Sequence, residues 1–191
     1  MSSRMIQLAA CQALYDDECL RDLLDTEAET THGSERFCDE PLSTHGNPPV
    51  RRAQMGWPSD FKRACVTVAA PGAAPFNRAG SRPWFESWSF VVSMYARETI
   101  KLDNGQKGGT GDLWLSDIYD RVRLVLGVSA FDGGSPVECS SGIAVFSRSH
   151  FGDVNRGFED THRHWFIQTR FVWLVLSRGL VSPICVPCGT V

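Results

Sequence analysis

The strongest constraint on this chain lies between Ser81 and Val128, where two segments each carry an apolar stripe at the helical period. In the first, Trp84, Phe85, Trp88, Val91, Val92 and Tyr95 fall at i, i+1, i+4, i+7, i+8 and i+11, one continuous face. Pro83 suits the first turn of a helix, because its fixed φ fits and its missing N–H would be unpaired there anyway. Ser81 stands where a cap is expected, and Glu86 meets the positive end of the helix dipole. In the second segment Ser116 or Asp117 can cap, and Asp117 with Asp120 imitates a capping box. Ile118, Val122, Val125 and Leu126 form its buried side, and Gly127 is a natural residue to follow the last turn. Asp117 and Arg121 stand four apart with the acid first, a pairing worth roughly 0.2–0.5 kcal/mol when exposed. By spacing alone, both segments read as core helices.

Elsewhere the pattern is coarser. Ile6, Ala9, Ala10, Ala13, Leu14, Leu20, Leu23 and Leu24 predict one amphipathic helix from about Met5 to Leu24. From Thr30 to about Lys62 breakers dominate, as in His45-Gly46-Asn47-Pro48-Pro49, and no period is visible, which reads as a linker. Ala64 to Ala70 is a strand candidate, followed by the breakers Pro71-Gly72-Ala73-Ala74-Pro75. Asn104 to Gly111 reads as a flexible connection between the two motif helices. The apolar block Phe171 to Leu176 is a buried strand or a buried helical turn, which periodicity cannot separate. Gln168, Thr169 and Arg170 interrupt it before it reaches the roughly 18 apolar residues of a membrane span.

Length and charge narrow the classes. A chain of 191 residues fits one domain, and six Trp with eleven Phe can build its core. A net charge of -3 argues against a general attraction to nucleic acid or an acidic membrane. Leu8-Ala9-Ala10-Cys11 imitates a lipoprotein cleavage box, but too few residues precede it for the apolar region that secretion requires. The seven cysteines are therefore expected to be reduced thiols, and the protein cytoplasmic.

The two segments together resemble the heterokaryon-incompatibility domain of filamentous fungi. That family carries an Arg-Pro-Trp-Phe-x-Arg-x-Trp-x-x-Gln-Glu helix and a later Asp-Pro-Arg-Asp-(Lys/Arg)-Val-(Tyr/Phe)-Ala-Leu-Leu-Gly helix. Arg82, Pro83, Trp84, Phe85 and Trp88 match the first, with Ala96-Arg97 in the expected place. Asp117, Asp120, Arg121, Val122, Leu126, Gly127 and Val128 match the second. Ser87 replaces the family's Arg, Trp88 comes one residue early, and Ile118-Tyr119 replaces Pro-Arg. The family's two N-terminal signatures are absent, so the resemblance is to a divergent or truncated member. It implies non-self recognition that leads to programmed cell death, carried out through protein partners such as allelic recognition factors. It implies no catalytic residue and no cofactor. Trp84, Phe85 and Trp88 would anchor the first helix, while Asp117, Asp120 and Arg121 would form the polar end of the second.

Other constellations are thinner. Cys185-Val186-Pro187-Cys188 has metal-ligand spacing, and His162 with His164 offers a second pair, so a zinc-stabilised binding module is one alternative. A degenerate product without selected activity is another. Cys139-Ser140-Ser141-Gly142 supplies hydroxyls and a thiol without a nucleophile elbow, and the Gly-rich run around Lys107 has the wrong order for a phosphate loop. The expectation is therefore a non-enzymatic single domain, α/β or α+β, helix-rich with a small sheet. It divides into an amphipathic helix over 1–30, a linker over 31–63 and the family-like region over 64–191, with motifs at 81–98 and 116–128.

Overall fold

A computed structural model describes residues 3–24, 50–53, 57–58, 61, 63–70, 72–75, 85–102, 105–128 and 145–176. Arg82, Pro83, Trp84, Cys185 and Cys188, most of the expected linker and the Cys139–Gly142 run lie outside these residues.

The sheet dominates, and this corrects the expected helix-rich class. Among the described residues, three helices, α1 (Ser3–Tyr15), α2 (Glu18–Leu23) and α3 (Gly111–Gly127), accompany eight strands. These are β1 (Val50–Arg52), β2 (Ala64–Val68), β3 (Gly72–Pro75), β4 (Phe85–Arg97), β5 (Thr99–Lys101), β6 (Lys107–Thr110), β7 (Val145–Glu159) and β8 (His164–Leu176). The main sheet runs β1-β2-β4-β8-β7, with β3 also pairing with β4, and β5-β6 forms a separate hairpin. Every pairing is antiparallel except β1 with β2.

From Phe85 on, the first motif segment is the central strand β4, not a helix. It pairs with β8 without a register break, from Phe85 opposite Leu176 to Arg97 opposite His164. The reason is visible in retrospect: Trp88, Phe90, Val92, Met94 and Ala96 alternate, and all five are buried against the helices. Aromatic and β-branched residues satisfy a two-residue period as well as a helical one, and thirteen rungs on β8 decide between them. The block Phe171 to Leu176 resolves to strand for the same reason. The expected helix over Met5 to Leu24 breaks into α1 and α2, because Asp17 turns extended and caps α2 by accepting from the Leu20 amide at 2.8 Å. β1 falls inside the stretch read as linker, and the connection before α3 is the β5-β6 hairpin.

Alternation sorts the sheet into two faces. One carries Val66, Val68, Trp88, Phe90, Val92, Met94, Ile167, Phe171, Trp173 and Val175, packed beneath Ile6, Ala10, Leu14, Leu115, Ile118, Val122 and Leu126 of α1 and α3. Polar anchors fix the helices on this core. Gln7 donates to the Val68 carbonyl at 2.7 Å, and the Trp114 indole donates to the Leu23 carbonyl at 2.7 Å. The last carbonyls of α3 are satisfied from the sheet: Val125 by Arg148 at 2.5 Å and Leu126 by the Trp173 indole at 3.0 Å. The opposite face holds a smaller cluster of Phe61, Cys65, Tyr95 and Phe166.

Candidate functional site

The second motif does lie on a helix, but its polar residues work differently from the expectation. α3 begins five residues before Ser116, at Gly111, with Thr110 as the capping position but no bond from the helix amides to its side chain. Asp112 serves that end instead: hydrogen bonds from Thr110 and from the Leu113 backbone hold its carboxyl below the usual range. Ser116 is internal and donates back to the Asp112 carbonyl at 3.0 Å. Arg121 pairs not with Asp117 but with Asp17, through Nε at 2.7 Å and Nη2 at 2.6 Å. Asp117 and Asp120 are exposed, and Asp120 stands 3.8 Å from Arg123. Gly127 is the last helical residue, and close packing explains it: an added Cβ would come within 3.0 Å of His150 Cβ and 3.2 Å of a Phe171 ring carbon. Trp88 is buried on β4 and its indole donates to Glu86 at 3.0 Å, while Phe85 begins that strand. The matched motif residues that are described do not converge on one site.

A denser constellation sits on the opposite face, where the β7-β8 turn meets the end of β4. His164 opens β8 and pairs in register with Arg97. Its ring is 5.5 Å from Tyr95, 5.6 Å from Trp57, 5.7 Å from Phe61 and 5.8 Å from His162, centroid to centroid. Trp57 also packs edge-on to Phe166 at 4.9 Å and to Tyr95 at 5.8 Å. Arg97 ties this layer down. It donates to the Phe61 carbonyl at 2.8 and 3.1 Å and to the His162 carbonyl at 3.3 Å, with its guanidinium 4.6 Å from the Phe61 ring centre. The turn is built on Glu159, which accepts from the Thr161 amide at 3.1 Å, the His162 amide at 2.6 Å and the His162 ring at 2.8 Å. Burial works against that charge, but the bonds from His162 and Thr161 outweigh it and hold the carboxyl at about 2. Arg163, with φ of 52°, completes the turn and pairs with Glu98.

His164 is the anomaly. It is fully buried, and among the described residues neither ring nitrogen has a hydrogen-bond partner. Burial pushes its pKa down, and the neighbouring His162 and Arg97 push the same way against Glu159. The ring is therefore neutral near pH 7, and no hydroxyl or thiol is hydrogen-bonded to it that it could activate. His162 and His164 lie stacked, with planes 28° apart, and the described residues contain no group of three or more His, Cys, Asp or Glu side chains placed to hold a metal.

A second polar network pins β7 beneath α3. His150 Nε2 lies 2.6 Å from the Thr169 hydroxyl, which donates to the Gly152 carbonyl at 2.9 Å. That hydroxyl can then accept only from an Nε2–H, so His150 is held as a donor and is not free to act as a base there. Tyr119, 3.5 Å from the same nitrogen, is pushed up to about 12 by burial and by the Asp153 carboxylate. The network stabilises the bulged stretch from His150 to Asn155, where the β7-β8 register shifts twice. Neither cluster is legible in the sequence. Trp57 and Phe61 sit in a stretch without periodicity, and the chain brings them to Tyr95 and Phe166 only through the sheet.

No family model and no curated protein matches the chain. Among solved structures, a chain in the virion of a native gene transfer agent (GTA) particle shares its fold, with a TM-score of 0.53 at 15% identity. The likeness covers 90% of this chain and 94% of that one. No helix among the described residues is long and apolar enough to cross a membrane.

Proposed function

We propose that this chain is a non-enzymatic building block that joins copies of itself into a particle-like assembly through the margin of its sheet. The observation that carries this reading is β7, a 15-residue strand at the end of the sheet order, with β8 on one side and no strand on the other among the described residues. Such an edge offers a row of backbone donors and acceptors to another chain. Its bulges and charges restrict indiscriminate pairing, as protected edges do. Phe151, 69% exposed beside the bulge, does not serve that protection and fits a contact residue instead. The fold shared with a chain of a virion particle supports the same reading. Closed, repeated contacts between identical subunits are the usual route to such particles.

Heterokaryon-incompatibility signalling is the second reading, favoured by the helical state of the segment carrying Asp117, Asp120 and Arg121. It is placed second because Phe85 to Arg97 forms a strand where that family has a helix. Sedimentation equilibrium separates the two. The assembly reading expects concentration-dependent self-association that Phe151→Glu weakens at least tenfold while the circular dichroism spectrum stays unchanged. A chain that remains monomeric to hundreds of micromolar, or a Phe151→Glu variant that associates normally, would overturn it.

A further inference from the structure

We infer that His164 is an acid-sensitive latch that holds the rings of Trp57 and Phe61 on the sheet when neutral and releases them when protonated. Three features of the geometry carry this. The imidazole is fully buried, with the rings of Tyr95, Trp57 and Phe61 within 6 Å of it by centroid, and among the described residues no acceptor meets either nitrogen. A buried polar group without a partner is costly even when neutral, and a buried unpaired charge far more so. The layer above it is thin, because Trp57 is 41% exposed, and the main core lies on the other face of the sheet.

Burial is the main force against a charge on this ring, and the charged and titratable groups around it divide. From β4, Arg97 opposes a positive charge and Tyr95 offers a neutral phenol that burial holds protonated. From the turn, His162 opposes it, and Arg163 is drawn off to Glu98. From β7, Glu159 stands opposite His164 in register and its charge favours protonation, but its oxygens accept from the Thr161 and His162 amides and the His162 ring, and none bonds to His164. From β2, Cys65 lies buried in the same cluster and brings no compensating anion at acid pH. The net direction is still downward, and a protonated ring would find no hydrogen-bond acceptor among the described residues, whereas water would supply one. Because the closed form binds its proton more weakly than the open form, stability is present above about pH 6.5, the ordinary value for histidine, and falls below it. Each pH unit below that point shifts the closed–open equilibrium by up to about tenfold toward open, until the closed form also protonates.

The experiment is a pH titration of the intact chain from pH 8 to 4.5, following the His164 ring protons and the Trp57 indole proton by nuclear magnetic resonance. The latch requires both to change in one step, with Trp57 becoming exchangeable as His164 takes its proton. In a His164→Phe variant, which fills the same space without a charge, the Trp57 step should vanish, whereas in His162→Gln it should persist. An independent His164 titration near pH 6.5 that leaves Trp57 unmoved would overturn the proposal. So would an unchanged Trp57 step in His164→Phe. If that variant does not fold, the wild-type titration decides alone.

Discussion

Replacing Asp17 with Ala should cost more than any other exposed-side substitution on the helices, because Asp17 does two separate jobs. Its Oδ1 accepts from the Leu20 amide at 2.8 Å and caps α2, a helix of six residues that is too short to persist unaided. Loss of such a cap costs about 1 kcal/mol. The same carboxylate receives two parallel bonds from Arg121 of α3, with the Asp17 side chain 13% and the Arg121 side chain 32% exposed. Charge-assisted bonds reach about 1.5–3 kcal/mol when buried and about 1 or less at the surface, so this half-buried fork should contribute about 1–2 kcal/mol. Asp17→Ala is thus expected to destabilise by about 2–3 kcal/mol. Asp17→Asn keeps an oxygen for the cap and should lose only the charged part, about 1–2 kcal/mol. Urea unfolding followed by far-ultraviolet circular dichroism gives these values directly. A double-mutant cycle with Arg121→Ala isolates the pair. A coupling below about 0.3 kcal/mol, or equal losses for Asn and Ala at position 17, would refute the reasoning.

Three further outcomes follow from the packing. Gly111→Ala would place a Cβ 1.9 Å from the Arg97 carbonyl oxygen, so it should destabilise by about 2–4 kcal/mol, read as a shifted urea midpoint. Trp173→Ala empties the largest fully buried side-chain site among the described residues and frees the Leu126 carbonyl, with an expected loss of about 3–5 kcal/mol, while Trp173→Phe should lose less. Tyr119, raised to about 12, should stay neutral where ordinary tyrosines ionise near 10. Its raised value means that the folded state loses this contribution as pH rises from about 10 through 12, and absorbance at the phenolate band against Tyr119→Phe checks it.

How far the sequence reveals this molecule depends on which residues are asked. Ala64 to Val68 announces a strand through its β-branched run, and Ile118, Val122, Val125 and Leu126 announce the buried side of α3. Phe85 to Arg97 misleads, because its apolar residues satisfy both periods and the deciding partner, β8, lies some eighty residues away in sequence. The Asp117–Arg121 pair looked local, yet Asp17 offers two oxygens in a half-buried setting and wins. His162 and His164 stood out as a spacing, but the property that matters at position 164 is burial without a partner. Burial of that kind is set by Trp57, Phe61, Tyr95 and Phe166 converging from separate stretches, which no local pattern encodes.

The margin of the sheet is where the proposed assembly is tested most directly. Hydrogen–deuterium exchange of the intact chain should be followed across a concentration series, comparing the Val145–Glu159 segment with the Val50–Val68 segment. The account predicts that amides of β7 gain protection as the chain associates, while those at the β1 margin exchange at an unchanged rate. Association that leaves β7 exchanging as it does in the monomer would contradict the account, and so would a chain that never associates.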